Sequence, residues 1–170
     1  MTPDRRRLSY LLAVAFMSMI GCSGSLSDAA GLSSLDPAAT QIEYRFNDSS
    51  LPPEYHRSYT VTADEGQVHI VVDSYGDVLH DETAALDDQT WLTLLSAAKN
   101  LGAVSSGEQD ECPPGSTSRD LLISEAGDTP LLEIRGVCEE QGSTEVQAID
   151  TFVAPLLELF DMETLLAPAE

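Results

Sequence analysis

The apolar residues of this chain change period at Leu86, and that change restricts the fold more than any other feature. Before it they alternate with polar ones. Ile42, Tyr44 and Phe46 oppose Gln41, Glu43 and Arg45, and Tyr59, Val61 and Ala63 oppose Ser58, Thr60 and Thr62. Val68, Ile70 and Val72 follow a Glu65-Gly66 turn. Alternation puts one side of an extended strand in a core and the other in water. The first run therefore predicts a strand and the next two a hairpin. From Leu86 the spacing is helical: Trp91, Leu94, Leu95, Ala98 and Leu101 share one face. Asp87 is placed as its N-cap, Leu86 and Trp91 as a hydrophobic staple, and Gly102 as a left-handed stop. The pattern then recurs. Residues 119–125 and 131–138 flank Ala126-Gly127-Asp128 as a second hairpin. Val146, Ile149, Phe152, Val153, Leu156 and Phe160 mark a second helix over 145–160. Pro155 lies inside it and is expected to kink or divide it.

The order β-ββ-α-ββ-α predicts an α+β domain over residues 41–167, with an antiparallel sheet of about five strands and two helices packed on one face. After the Tyr75-Gly76-Asp77 turn, Val78-Leu79-His80 offers one further short strand. About 130 residues suffice for one real core and not for two. Residues 22–40 are rich in Ser, Ala, Gly and Asp without a sustained period, and read as a flexible tether.

The chain carries 8 basic and 29 acidic residues, a formal charge of −21. That balance argues against nucleic acid as a partner and against adsorption to an anionic leaflet, both of which need Lys and Arg. A charge of this sign keeps the protein soluble and attracts cationic proteins or divalent ions.

At the N-terminus, Arg5-Arg6-Arg7 precedes an apolar run over residues 8–20 and the small residue Gly21. These parts make a secretory signal peptide over residues 1–21. The run spans 13 residues and falls short of the roughly 20 that a spanning helix needs. Met19-Ile20-Gly21-Cys22 resembles the lipobox of bacterial lipoproteins. The resemblance implies cleavage after Gly21, palmitate and other acyl chains on Cys22, and a periplasm-facing protein tethered to a membrane of the cell envelope. Ser23 after the lipidated cysteine favours the outer membrane over the inner. Loss of the leader removes three Arg and one Asp and leaves a charge of −23. Export also places Cys112 and Cys138 in an oxidising compartment, where a disulfide is expected. The second hairpin sets the entrance of one strand, near Cys112, beside the exit of the other, at Cys138.

The densest chemistry lies between Asp48 and Tyr59. Its Ser-Leu-Pro-Pro-Glu-Tyr-His-Arg-Ser-Tyr string resembles a segment of uncharacterised small bacterial lipoproteins, a family that carries no function to transfer. Tyr55, His56, Arg57 and Tyr59 are the binding candidates. Arg57 and His56 suit an anion, or His56 a general base. A purely structural reading makes the segment a rigid corner. Pro52-Pro53 then fixes its direction, Tyr55 and Tyr59 pack, and Arg57 pairs with Asp48 or Glu54. His69 falls on the polar face of its strand, where it is expected to be exposed. Asp73, Asp77, His80, Asp81 and Glu82 form an acidic run without the spacing of a calcium loop or a zinc helix, so no metal and no cofactor is predicted. The chain has no nucleophile elbow and no phosphate-cradling glycine loop. These readings describe a membrane-anchored, non-catalytic module that binds a protein or a ligand. The alternatives are an envelope enzyme using His56 and Arg57, and an inhibitor of a cationic secreted enzyme.

Overall fold

Alternation carries through into a single antiparallel sheet of six strands. The computed structural model describes residues 32–101, 112–125, 129–139 and 143–168. Its strands are β1 (Thr40–Asn47), β2 (Ser58–Asp64), β3 (Gln67–Ser74), β4 (Asp77–Ala85), β5 (Ser118–Glu125) and β6 (Thr129–Cys138), in spatial order β4-β3-β2-β1-β5-β6. The helices are α1 (Asp88–Leu101), α2 (Ser143–Leu157) and the four-residue α3 (Met162–Leu165), with a 3-10 turn at Leu32–Ser34 ahead of β1. The chain is thus an α+β protein, and the lipobox and Cys22 lie outside the described residues. Among the described residues no helix is long and apolar enough to cross a membrane.

The first strand takes the centre of the sheet. Tyr44 faces Val61 of β2 on one side and Leu121 of β5 on the other. Ile42 and Tyr44 are buried while Gln41, Glu43 and Arg45 stay exposed, so β1 has one dry face and one wet face. Trp91, Leu94, Leu95, Ala98 and Leu101 of α1 join that dry face, as do Ile149, Phe152, Val153 and Leu156 of α2. Each of the larger side chains contributes roughly 1.5–3 kcal/mol by leaving water. The Asp87 carboxylate accepts from the Thr90 N–H at 3.0 Å and the Thr90 hydroxyl at 2.7 Å, which makes it the cap of α1. Those bonds hold its pKa below the usual aspartate value.

Several expectations need revision. The sheet has six strands, because the short run expected at 78–80 is the nine-residue edge strand β4. Most of β4 is exposed on both faces, and an edge so placed is guarded by the charges of Asp77, Asp81 and Glu82. His69 lies on the wet face of β3 with its side chain 43% exposed, and adds a contact: its Nε2 lies 2.7 Å from Asp81 Oδ1, across the β3–β4 ladder. Helix α2 is not divided at Pro155 but runs on to Leu157. Packing starts at Leu32, ahead of the boundary expected at residue 41. Leu32 is buried, and the Trp91 indole N–H donates to the Pro37 carbonyl at 3.1 Å. Cys112 and Cys138 are bonded, 26 residues apart, with Cα atoms 5.6 Å from each other. The turns placed at Gly102 and at 126–128 lie outside the described residues.

A two-residue turn, Tyr75-Gly76, joins β3 to β4 with φ of +53° and +93°. Positive φ at both central positions is what the twist of a tight hairpin demands. Gly76 accepts it without cost, whereas a tyrosine gives up roughly 1–2 kcal/mol.

Candidate functional site

Tyr75 recovers that cost on the corner between β1 and β2. Its hydroxyl donates to the Leu51 carbonyl at 2.6 Å, and its ring stacks on His56 with centroids 3.9 Å apart. His56 is only 5% exposed beneath it. Its Nε2 lies 3.4 Å from Ser58 Oγ, and its Nδ1 is buried without a partner among the described residues.

Arg57 beside it is 6% exposed and spends every donor it has. Nε and Nη2 donate to the Ala167 carbonyl at 3.1 and 3.0 Å, Nη2 also to Glu54 at 3.1 Å, and Nη1 to the carbonyls of His56 at 2.7 Å and Pro53 at 3.4 Å. A guanidinium has five N–H groups, so none remains for an anion. The pairing expected with Asp48 or Glu54 takes another form. The Asp48 carboxylate accepts from the Arg57 main-chain N–H at 2.8 Å, and Glu54 contributes its carbonyl, not its side chain. Tyr55, next in sequence, is 55% exposed and points away from both. Tyr59 has already entered the sheet and lies in the core. The four residues do not converge on one place.

Tyr59 instead opens a second place, which the sequence did not single out. A transverse row crosses the dry face of the sheet: Tyr59 pairs with Phe46, Phe46 with Arg119, and Arg119 with Val137. Arg119 shares the buried side of β5 with Leu121 and Ile123. An arginine in the core phase of a strand must find a counter-charge, and α2 brings one. Arg119 Nε donates to Asp150 Oδ1 at 2.7 Å, and the guanidinium carbon sits 5.5 Å over the Phe46 ring. Nη1 is enclosed and makes no hydrogen bond among the described residues.

These residues bound a cavity of about 450 Å³. Four rings form its body: Tyr44, Phe46, Tyr59 and Phe160. Phe46 and Tyr59 stack at 5.1 Å, and Tyr44 tilts against Tyr59 at 6.0 Å. On α2, Asp150, Ala154 and Leu157 recur at helical spacing and turn one side toward it, with Glu158 just past the last turn. The segment that follows, through Phe160 and Met162, closes the remaining wall. That segment is tied down at Ala167 by Arg57. The corner therefore acts on the cavity by holding one of its walls.

Electrostatics differ along the cavity. Burial lifts the pKa of the Tyr44 and Tyr59 hydroxyls above the ordinary tyrosine value, so both phenols stay neutral. For Arg119, burial pulls downward, but the hydrogen bond and charge of Asp150 outweigh it and leave the guanidinium raised. The Asp150 side chain is 44% exposed and Glu158 is exposed, so two carboxylates stand at the mouth and one cation at the base.

A larger concavity, about 740 Å³, runs between α1 and α2 past Thr93, Ala97, Gln147 and Thr151, and none of its lining side chains is charged. It is a neutral trough with an apolar floor. Of these two, the smaller cavity holds the titratable groups; a third concavity, on the wet face of the sheet, is lined by Glu43, Arg45, Asp120, Glu133 and Arg135. Among the described residues no three His, Cys, Asp or Glu side chains gather as a metal-holding group. No family model matches the chain, and no curated protein sequence matches it.

Proposed function

We propose that this chain is a lipid-anchored protein of the bacterial cell envelope, facing the periplasm, whose α+β domain is a non-catalytic binding module. The Met19-Ile20-Gly21-Cys22 string, behind a basic and apolar leader, supports the anchor at Cys22. The observation that carries the binding role is the ring-lined cavity with the Arg119–Asp150 pair at its side. It is concave, largely apolar and furnished with a few convergent polar groups, as small-ligand sites are. The locked guanidinium of Arg57 and the covered ring of His56 speak for a structural corner and weaken the enzyme alternative. Two acyl chains hold a protein stably where one does not.

Mass spectrometry of the mature protein from envelopes should find a diacylated Cys22 as its first residue, with Cys22→Ala releasing the protein from membranes. An unprocessed amino terminus on soluble material overturns the anchor. A photo-cross-linker at Met162, on the cavity wall, should give a discrete adduct in intact cells. Its absence overturns the binding role.

A further inference from the structure

We propose that the cavity bounded by Tyr44, Phe46, Tyr59 and Phe160 receives an organic cation of single charge, an ammonium or guanidinium on a flat or apolar body. The inference rests on the reading of the domain as a binding module and adds the chemistry of what it binds.

Charge decides the class. Asp150 and Glu158 stand at the mouth against Arg119 alone, a local sum of −1. Arg119 offers an anion little: Nε is taken by Asp150, Nη1 is sealed from solvent, the guanidinium carbon sits over Phe46, and Nη2 alone stays open. Aromatic faces attract cations within about 6 Å of their centroids, and more strongly where water is excluded. The whole molecule adds to this, because a net charge of −21 raises the local concentration of cations around it. An anion is repelled by both carboxylates and by the whole molecule, and has only Arg119 Nη2 in its favour. The neutral trough between α1 and α2 gives a cation neither a counter-charge nor more than one ring. At about 450 Å³ the cavity accommodates a ring or short alkyl body with its charged head at the mouth.

Two sources share this chemistry: a free amine, and a Lys or Arg side chain carried by a partner polypeptide. The test titrates the oxidised domain with phenethylammonium and, separately, with phenylacetate, which keeps the skeleton and reverses the charge. Ring resonances of Phe46, Tyr59 and Phe160 are followed by NMR. We expect saturable shifts with phenethylammonium at a Kd on the order of millimolar, and none with phenylacetate. Glu158→Gln should weaken binding about two- to fivefold and leave the melting temperature unchanged, since its carboxylate is solvent-exposed. Raising salt should weaken it further. A capped Gly-Lys-Gly peptide that displaces phenethylammonium assigns the natural ligand to a polypeptide; failure to displace it assigns a free amine. Equal or tighter binding of phenylacetate overturns the proposal. So does no binding of either probe, or an unchanged Kd in Glu158→Gln. Lipidation at Cys22 and cross-linking at Met162 are read independently, so a failed titration removes the cation and leaves the module standing.

Discussion

Arg57 and Arg119 are both buried cations, at 6% and 8% exposure, yet their surroundings make them different objects. Arg57 is enclosed by four main-chain carbonyls, three from the turn over residues 53–56 and one from Ala167. Its removal leaves the carbonyls of Ala167, Glu54 and His56 without a side-chain donor, while that of Pro53 keeps the Ser74 hydroxyl at 2.8 Å. Arg119 meets a half-exposed carboxylate and a ring, at the side of a concavity. Its removal leaves a carboxylate that water can reach. A buried arginine is thus a strut where it faces backbone and a part of a site where it faces side chains around open volume.

Four measurements test that contrast, beginning with the largest expected effect. Arg57→Ala should cost about 4 kcal/mol in urea unfolding, a little over 1 for each of the three carbonyls left without a donor. Arg57→Lys should restore little of it, because an ammonium presents three donors as a point and not five as a fork. If Arg57→Ala costs under about 1 kcal/mol, the strut is misread. Cutting the Cys112–Cys138 bond, through paired serines, should cost about 3 kcal/mol from the closed loop of 26 residues. The loss should appear as faster amide exchange in β5 and β6, the side that carries Arg119, while the corner stays protected. Arg119→Met should cost only about 1 kcal/mol, since Asp150 rehydrates and the methionine fills the space beside Phe46. A cost equal to that of Arg57→Ala would erase the distinction. The smallest effect concerns the phenols and is absent at neutral pH. Burial raises their pKa values in the folded state, so their contribution is complete below the unfolded tyrosine value of about 10 and is lost as pH climbs past it. Tyr44→Phe and Tyr59→Phe should each shift the alkaline unfolding limb upward, and an unmoved limb would place these hydroxyls in water.

Much of this architecture was legible in the residues. The faces of β1, β2 and β3, the buried stripe of α1 and its Asp87 cap, and the Cys112–Cys138 bond all follow from period and position. Strand β4 was legible only as a short run at 78–80, because an edge strand wet on both faces carries no hydrophobic alternation to read over its full length. The site was hidden for a related reason. Tyr55, His56, Arg57 and Tyr59 are neighbours in sequence, but the chain enters a strand at Ser58, and the turn before it sends Tyr55 outward and Arg57 inward. Arg119, Phe46 and Asp150 are far apart in sequence and meet only through sheet register and helix docking. One local signal was present. Arg119 falls in step with Leu121 and Ile123, and a cation in the apolar phase of a strand announces either a buried partner or a binding place.

Strand β1 is both the first of the sheet in sequence and one of its two central members. A tether leading from a membrane into the amino terminus would transmit tension straight along it. Both of its ladders, to β2 and to β5, would then be loaded together and in shear, with eight residue pairs on the β5 side alone. Such a clamp yields only when many hydrogen bonds fail at once, whereas an edge strand would peel one bond at a time. A domain tethered in this way would stay folded under a pull that peels an edge strand away.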